Sequence, residues 1–335
     1  MKVTTGRLAI FTDSADLHAL LMQRVLNARG RVVCDVVETD SLCGGGGLSW
    51  WDDARSRLNV KGGGSIDVGD LDVVWWRRGS NFQKIPADVT DRADVEVINN
   101  DCRTALTGML WNDFHGTWVS DPHATAMAEN KLVQLRAARA AGLPVPRTLV
   151  SQDPEEIRRF FLSVGGDVIV KSVRGCSSTP AFTTKVTDAH LGEEVSMRLA
   201  PAIYQECVPG QDHLRALLLG DEIYAVSIHS EDLDWRGRLP GSFRIAQVDD
   251  VTSAGLRDVL RRLGLRMGVV DMKLDGNGTP VWLEINPQGQ FLFMQALSGL
   301  DLVTPCVTYF EREVLLAAHR HGQPWARQRL SSSRP

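Results

Sequence analysis

Several features that assign a protein to a functional class are scarce or absent in this sequence of 335 residues. The six cysteines are scattered and form no C-x-x-C pair, which argues against a disulfide framework or a zinc site and favours reduced thiols. No apolar run is long enough to cross a bilayer, and the N-terminal residues lack the apolar core of a signal peptide. We therefore expect a cytoplasmic protein with no membrane partner.

Basic charge is also in short supply. The formal net charge is −4, so the chain lacks the basic stripe that nucleic-acid binding requires, and we expect no nucleic-acid partner. Only seven of the 37 basic residues are Lys, which makes each Lys position informative. No Gly-x-Gly-x-x-Gly occurs at the first strand-to-helix turn and no Gly-x-Ser-x-Gly elbow occurs, which argues against dinucleotide binding and hydrolase chemistry.

The sequence does contain enough apolar residues, 43%, for a large core, and its length favours two or three domains. Residues 7–11 have the pattern of a buried strand, residues 17–26 show helical apolar spacing, and residues 31–37 have the pattern of a second strand. This pattern predicts a β-α-β opening. The glycine-rich stretch 43–64 predicts a surface loop or hairpin, with a flap over a substrate as the alternative.

Two adjacent arginines follow the next predicted strand, residues 71–76. Arg77 and Arg78 should point to opposite faces, so we expect at most one of them to reach a ligand. A surface ion pair is the alternative. Residues 88–111 then show a largely helical pattern, and Ser-Asp-Pro at 120–122 predicts a domain boundary.

The pattern changes after this boundary. Asn130 is a predicted N-cap, Lys131 is the first helical residue, and Gly142 lies just past the helix end. A second helix is expected around residues 154–161. Further strands are predicted at 167–173, 202–208, 214–219 and 223–229.

A hairpin is predicted near the end of this region, because DGNGTP (275–280) is dense in turn residues and joins two runs of alternating apolar residues. A turn centred on its Asn-Gly pair places Leu274 opposite Val281 and Asp271 opposite Glu284. Directly opposed residues have Cβ atoms roughly 4.5–5.5 Å apart, so two carboxylates there repel each other unless a cation lies between them.

Asn286 adds a third oxygen on the face that carries Glu284. Carboxylate, carboxylate and amide oxygens suit Mg²⁺, which takes its other ligands from phosphates and water. Gly268 and Gly289 flank this site, where we expect the backbone to approach a ligand. The alternative interpretation of Asp271 and Glu284 is an exposed polar hairpin face.

With these residues in view, the sequence resembles the ATP-grasp ligases over roughly residues 121–310. Each motif alone is weak, but their order along the chain is that of the family. The motifs are Lys131 in ENKLVQL, Lys171 in VIVKSV, the adenine-binding hinge YQECVPG (204–210), and the metal ligands Asp271, Glu284 and Asn286.

A narrower likeness, to the microviridin-type graspetide synthetases, rests on VVWWRRGSNF, YQE…HLR, SIHSEDLDWR and EINPQGQFLF. Those enzymes couple Asp or Glu side chains of a ribosomally made precursor peptide, which carries a leader segment, to Ser, Thr or Lys side chains. Glutamate ligases that extend protein tails share much of this pattern. The family is often dimeric, so the resemblance also implies a homodimer.

The resemblance implies an α/β protein, α+β in its grasp domains, with an ATP-grasp fold behind an N-terminal pre-grasp β-α-β domain. The predicted segments are the pre-grasp domain 1–120, the central subdomain 121–196, the C-terminal subdomain 197–325 and a disordered tail 326–335. The implied reaction consumes ATP: a substrate carboxylate becomes an acylphosphate, from which an amine or hydroxyl displaces phosphate.

The resemblance also assigns residues to the two cofactors, ATP and Mg²⁺. Asp271, Glu284 and Asn286 would hold Mg²⁺, and Lys131 and Lys171 would neutralise the α- and β-phosphates. The adenine-binding residues would be Gln205, Glu206, Cys207 and Val208. The family's acidic ribose contact falls on His213, and a one-residue shift would give the role to Asp212, which we favour.

Three residues are catalytic candidates. Arg215 would face the γ-phosphate, the acylphosphate and the later oxyanion, with an ion pair at a strand edge as the alternative. Arg236 could serve the same groups or be a solvated loop charge. Lys273 shares the face of Asp271 and would either contact the phosphate or offset the carboxylates.

Two departures from the family pattern concern the phosphate loop. Ser172 stands where the family usually has Pro, and the segment 173–179 has one Gly where several are usual. Because glycines bring backbone N–H groups onto phosphates, Arg174, Ser177 or Ser178 would have to share that work.

Three functions therefore compete: a peptide-modifying ligase, a carboxylate-amine ligase for amino acids or other small molecules, and a nucleotide-binding regulator that has lost turnover. The complete set of metal ligands argues against the regulator, whereas the altered loop and His213 favour it.

Overall fold

The computed structural model describes residues 6–44, 47–53, 55–174, 182–237 and 241–321, apart from the side chains of Arg236 and His321. The chain packs as two compact units, Met1–Pro122 with Asp301–Pro335, and His123–Leu300. No helix in the described ranges has the length and apolar content needed to span a membrane. The predicted disordered tail, 326–335, lies outside the described residues.

The first unit opens with the predicted β-α-β arrangement. Its elements in this part of the chain are β1 (Gly6–Thr12), α1 (Leu17–Arg29), β2 (Val32–Glu38), β3 (Leu48–Trp50), β4 (Ser56–Asn59), β5 (Ser65–Ile66), β6 (Val73–Trp76), α2 (Arg92–Asp113) and β7 (Thr117–Val119). A parallel sheet has the order β2-β1-β6-β7, and β3-β4-β5 form an antiparallel sheet within and just beyond the glycine-rich stretch. The expected hairpin there is thus part of a three-stranded sheet.

An internal ion pair supports this parallel sheet. Arg77 follows β6 and is only 1% exposed, with its Nε 3.1 Å from Asp16 Oδ2 at the start of α1. Thr12 Oγ1 donates to the same carboxylate at 2.8 Å. The interpretation of Arg77 as a surface group was therefore wrong, because the alternating pattern gives the face of a strand but not how deeply the strand is buried.

The second unit contains most of the predicted grasp elements. They are α3 (Pro122–Ala128), α4 (Lys131–Ala140), β8 (Thr148–Ser151), α5 (Pro154–Ser163), β9 (Val168–Ser172), β10 (Thr184–Lys185), α6 (Asp188–Gly192), α7 (Glu194–Leu199), β11 (Ala202–Glu206), β12 (Asp212–Leu219), β13 (Glu222–His229), β14 (Ser242–Ala246), α8 (Asp250–Arg262), β15 (Met267–Leu274), β16 (Pro280–Asn286) and α9 (Leu292–Ser298). They form two antiparallel sheets, β10-β9-β11-β8 and β14-β13-β12-β15-β16.

The last helix of the described chain, α10 (Val303–His321), belongs to the first unit. Its Phe310 packs on Trp75 of β6, with ring centroids 4.8 Å apart, and both side chains are buried. The helix α10 therefore packs with the first unit, whereas the predicted segment 197–325 includes it in the C-terminal subdomain. The four-segment division stays a prediction.

The predicted hairpin is β15 and β16, and a bulge divides its register into two parts. Asp271 faces Glu284, as predicted, whereas Leu274 faces Pro280 rather than Val281. The shift lies between Asp271 and Met272 and leaves one extra residue on β16. The turn next to the shift is also one residue tighter than predicted, with Asp275 N–H donating to Thr279 O at 3.0 Å. The carboxylate pairing therefore depends on the bulge.

Candidate active site

Two predicted metal ligands each lie beside a basic side chain in the second unit. Lys131 Nζ is 3.1 Å from Glu284 Oε2, and Arg215 Nη1 is 2.7 and 2.5 Å from the two oxygens of Asp271. These carboxylates are register partners on β15 and β16, so two adjacent negative groups are flanked by one basic side chain on each side. The arrangement neutralises the repulsion between the two carboxylates.

The position of Lys131 follows from local sequence. Asn130 caps α4 as predicted: its side chain accepts hydrogen bonds from the N–H groups of Leu132 and Val133, at 3.0 and 3.4 Å. The helix therefore begins at Lys131 and ends at Ala140, with Gly142 just beyond at φ +78°. Because Lys131 is the first helical residue, its position beside Glu284 depends on this cap.

A cleft of about 420 Å³ opens over the C-terminal end of β16, where Glu284 and Asn286 lie. Its lining combines the first turn of α4 with the hairpin and the end of β9. The lining includes Asn130, Lys131, Gln134, Arg174, Glu284 and Asn286. Asn286 Oδ1 also accepts the N–H of Gln288 at 3.0 Å, which orients that amide. The cleft thus brings two predicted metal ligands and one predicted phosphate lysine together.

A second, smaller cavity of about 70 Å³ lies between the two sheets of this unit. The predicted adenine-binding residues line it, together with both remaining lysines of interest. The polar and sulfur-containing lining residues are Lys171, Thr183, Gln205, Glu206, Cys207, His213 and Lys273. Leu283 lines this cavity while Glu284 lines the cleft, so adjacent residues of β16 face the two spaces.

Gln205 holds Lys171 in the small cavity. Lys171 Nζ donates to Gln205 Oε1 at 3.1 Å, and Gln205 Nε2 donates to Thr148 Oγ1 at 2.8 Å. Gln205 is 1% exposed, so its amide is fixed by this chain of contacts. The predicted adenine-binding residue Gln205 therefore orients a predicted phosphate lysine.

Lys273 and Cys207 share this cavity. Burial lowers the pKa of the Lys273 ammonium and raises the pKa of the Cys207 thiol. Lys273 pairs in register with His213, two residues along each strand from the pair of Asp271 and Arg215. Lys273 therefore lies among the predicted adenine-binding residues, which favours the predicted contact with the nucleotide over offset of the carboxylates.

His213 and Asp212 occupy different environments. His213 is 5% exposed and lines the cavity, and its buried Nε2 has no hydrogen-bond partner among the described atoms. Burial, aided by the charge of Lys273, lowers its pKa to about 4, so the ring is neutral near pH 7. Asp212 is exposed and lies 2.8 Å from His229 Nδ1 instead. The geometry therefore favours His213 over Asp212, the residue favoured from the sequence, as the ribose contact.

Arg215 is held on three sides. Its Nη2 donates to Gln290 O at 3.0 Å, and its guanidinium lies 5.6 Å from the ring centroid of Trp235 and 5.3 Å from that of Phe293. Stacking of this kind suits a planar guanidinium better than an ammonium. Neither aromatic residue was singled out from the sequence, because the cluster joins residues from distant segments.

Some predicted features lie outside the described residues. They are Ser177, Ser178, the rest of segment 175–179, and the side chain of Arg236. Gly268 and Gly289 are described, and the expectation for both was wrong. A Cβ on Gly268 would lie 2.7 Å from Ile285 Cδ1, and one on Gly289 would lie 2.6 Å from Val269 Cβ. These glycines therefore allow the protein to pack against itself.

Among the described residues, no group of three or more His, Cys, Asp and Glu side chains is arranged to hold a metal ion. Only two of the three predicted ligands, Asp271 and Glu284, belong to these residue types, because the third ligand is the amide of Asn286. This donor set fits a magnesium ion that takes further oxygens from phosphates. The five described cysteines are free thiols.

Comparisons with known proteins bear on the fold. No family model matches the chain. A probable alpha-L-glutamate ligase of Sodalis glossinidius (strain morsitans) is 27% identical over 206 residues, which are 58% of this chain and 68% of that protein.

Solved structures match over a longer span. The macrocyclase MdnC from Microcystis aeruginosa MRC, bound with precursor peptide MdnA, has a TM-score of 0.79 and 23% identity, covering 92% of this chain and 99% of its own. ATP-grasp ligase PsnB, complexed with a phosphomimetic variant of its minimal precursor, Mg and ADP, has a TM-score of 0.76 and 24% identity, with coverage of 92% and 99%. The chain therefore has the ATP-grasp fold, and the resemblance to ATP-grasp ligases that its motifs predicted is confirmed.

Proposed function

We propose that the protein is an ATP-dependent ligase that activates a carboxylate as an acylphosphate and forms side-chain ester or amide crosslinks in a ribosomally made precursor peptide. The observation that carries this proposal is the register pairing of Asp271 with Glu284, each beside a basic residue, with Glu284 lining the cleft. A likeness to peptide-bound MdnC and PsnB supports a peptide substrate.

The carboxylate end of the site would hold Mg²⁺ through Asp271, Glu284 and Asn286. When bound, the ion would neutralise the negative charge of the phosphates. Lys131 lies 3.1 Å from Glu284 and so can contribute positive charge to the same phosphates. The mixed charge of this end suits a triphosphate with its metal better than a free anion.

The other end of the site would hold the nucleoside. Glu206 and Val208 line the small cavity and offer polar groups to the adenine edge, and the neutral His213 offers one ring nitrogen to ribose. Lys171 lines the same cavity, held by Gln205, and would meet the α- and β-phosphates. The nucleotide would therefore run from the small cavity towards the cleft along β16.

Arg215 is the residue we assign to the reacting groups. Its guanidinium is fixed by Asp271 and the Gln290 carbonyl, so it would present a preorganised positive charge to the transferred phosphoryl group. The same charge would stabilise the oxyanion that forms when an amine or hydroxyl attacks the acylphosphate. No covalent enzyme intermediate is needed, because positioning and charge neutralisation account for the chemistry.

The test uses purified protein with ATP, Mg²⁺ and a short peptide encoded beside its gene that carries Thr or Lys together with Glu or Asp. We expect ADP formation and loss of one water mass from the peptide per bond formed, both measured by mass spectrometry. Glu284→Gln should abolish both signals. Glu156→Gln, on the exposed face of α5, should leave them intact.

Ligation of a free amino acid is the alternative, favoured by the 27% identity to a probable alpha-L-glutamate ligase. Phosphate release with free glutamate, and none with peptides, would select it. Equal product formation by Glu284→Gln and the unchanged protein would refute the assignment of Glu284 as a metal ligand. Binding of ADP without product from peptides or free amino acids would refute both ligase functions and favour the nucleotide-binding regulator.

A further inference from the structure

Gln134 makes an unusual set of contacts beside the candidate active site. Its side chain is 3% exposed and forms three hydrogen bonds to backbone groups. Gln134 Nε2 donates to Ala128 O at 2.6 Å and to Ile285 O at 2.8 Å, and Gln134 Oε1 accepts the N–H of Ile285 at 3.0 Å. A single amide therefore satisfies both backbone polar groups of one residue of β16.

This contact lies on an edge of the five-stranded sheet. The strand order places β16 at that edge, with β15 as its only partner in the sheet among the described strands. A residue on the open side of an edge strand leaves its N–H and C=O without a ladder partner. Gln134 fills that place for Ile285 as a neighbouring strand would, and it does so from a helix.

The same turn of α4 contacts two consecutive residues of β16. Lys131 and Gln134 are three positions apart, so they share a helix face. Lys131 pairs with the side chain of Glu284, while Gln134 binds the backbone of Ile285. Asn286 follows directly. The amide of Gln134 thus anchors the segment that carries two of the proposed metal ligands.

Other contacts already fix the strand to its surroundings. Trp282 and Ile285 are 0% and 2% exposed in the apolar core, and the N–H of Trp282 donates to Pro144 O at 2.8 Å. The fold of β16 therefore does not depend on Gln134 alone. What Gln134 adds is a fixed distance between the start of α4 and the backbone between the two ligands.

We propose that Gln134 is a positioning residue of the nucleotide–metal site, which holds Glu284 and Asn286 in the geometry that Mg²⁺ needs and in register with Lys131. The proposal rests on the function proposed above. It concerns the carboxylate end of the site and leaves the adenine end unaffected, because the contacts of Gln134 involve Ala128 and Ile285, and neither lines the small cavity.

The test is the affinity of the full chain for ADP, measured by calorimetry with Mg²⁺ and again with EDTA. Gln134→Met keeps the length of the side chain and removes its hydrogen bonds. Groups that orient metal ligands typically contribute 10–100-fold to metal affinity, so we expect ADP to bind about tenfold more weakly with Mg²⁺ present. With EDTA, we expect the affinity to change by less than about twofold.

Gln83 provides a matched control in the first unit. It is 9% exposed, its Oε1 accepts from the N–H groups of Leu42 and Cys43, and its Nε2 donates to Thr39 O at 2.8 Å. Gln83→Met removes an equal number of buried backbone contacts. It should lower the melting temperature in the same way as Gln134→Met while leaving ADP affinity unchanged under both conditions.

A second variant guards against a folding defect. Gln134→Asn retains an amide but is one methylene shorter, so it cannot reach both groups of Ile285, and it should show the same selective loss. If both variants lose affinity equally with and without Mg²⁺, keep full affinity, or fail to fold, Gln134 has no positioning role and the proposal is overturned. In the first two cases, ADP binding by the unchanged protein still supports the proposed function. If the unchanged protein binds no ADP with Mg²⁺, both proposals fail.

Discussion

Arg215 and Asp271 lie directly opposite each other on β12 and β15, and Nη1 of the arginine is within 2.7 Å of both carboxylate oxygens. The side chains are 9% and 16% exposed, so the pair is largely shielded from water. One residue is the proposed catalytic cation and the other a proposed metal ligand. Substitution of either residue will therefore change the electrostatics of the other.

The first prediction concerns this coupling. Arg215→Met leaves a largely buried carboxylate without its main partner, and Asp271→Asn does the same to the guanidinium. Breaking a buried pair in this way typically costs roughly 3–5 kcal/mol. We expect each single variant to lose about 3 kcal/mol of unfolding free energy in urea, and the double variant to lose clearly less than the sum.

The matched control is Arg159 with Glu156, an exposed pair one turn apart on α5. Its coupling energy in the same double-mutant cycle should be about 0.5 kcal/mol or less. Equal coupling energies for the two pairs would contradict the shielded environment assigned to Arg215 and Asp271.

The second prediction concerns Arg215→Lys. A lysine keeps the positive charge but loses the planar guanidinium that contacts both oxygens of Asp271 and lies against the rings of Trp235 and Phe293. We expect kcat for peptide modification to fall by a factor on the order of 10²–10³, the range found when an oxyanion donor is removed, with KM for ATP nearly unchanged. A rise in KM alone would assign Arg215 to ground-state nucleotide binding.

The third prediction concerns acid stability. The folded pKa of His213, about 4, lies below the ordinary value of 6.5, so between these pH values the unfolded chain binds more protons. The contribution of this histidine to stability is therefore complete above pH 6.5 and is lost as the pH falls towards 4. His213→Gln should remove this pH dependence, so that the unfolding free energy changes by on the order of 3 kcal/mol less between the two pH values.

The measurement is unfolding free energy against pH, from denaturant titrations between these two values. His319→Gln, on the exposed face of α10, serves as the control and should leave the curve unchanged. A His213→Gln curve parallel to that of the unchanged protein would show that His213 titrates alike in both states.

The fourth prediction concerns the buried pair in the first unit. Burial raises the pKa of Asp16, but the hydrogen bond with His18 and the charge of Arg77 outweigh it and lower the pKa overall. The ionised carboxylate of Asp16 therefore stabilises the fold fully above pH 3.8, which is the ordinary pKa of the group. This stabilisation is lost as the pH falls below that value. Asp16→Asn should cost about 3–5 kcal/mol near pH 7, because it removes the negative charge that lies 3.1 Å from the buried guanidinium of Arg77.

Asp35→Asn breaks a more exposed pair with Arg7, in the same sheet, and should cost about 1 kcal/mol or less. Thermal or urea unfolding measures both losses. If Asp16→Asn were no more costly than Asp35→Asn, the internal ion pair would not support the first unit.

The fifth prediction concerns Gly268. Alanine at this position brings its Cβ within 2.7 Å of Ile285 Cδ1, an overpacking that typically costs 1–3 kcal/mol. Ile285→Val removes that methyl group and should recover part of the loss, although it is mildly destabilising alone. Additive losses in the double variant, measured by thermal unfolding, would show that the two positions do not meet as described.

Local sequence was sufficient for features that depend on neighbouring residues. The Asn130 cap sets the start of α4 because its side chain bonds the next turn. Alternating runs around a short turn predicted the hairpin of β15 and β16, but Asp271 faces Glu284 only because a bulge offsets the tighter turn. Alternation along β12 also favours His213 over Asp212 as the predicted ribose contact, since His213 and Arg215 share a face of the strand.

The sequence by itself thus determined the order of the grasp elements, the hairpin and the capped lysine, because these depend on local patterns and on contacts a few residues apart. Only the tertiary structure decided that Arg215 meets Asp271, that Gln134 binds the edge of β16, and that Arg77 is internal. Those contacts join segments far apart in the chain. Their partners depend on strand register and helix packing, and a shift of one residue would exchange one face for the other.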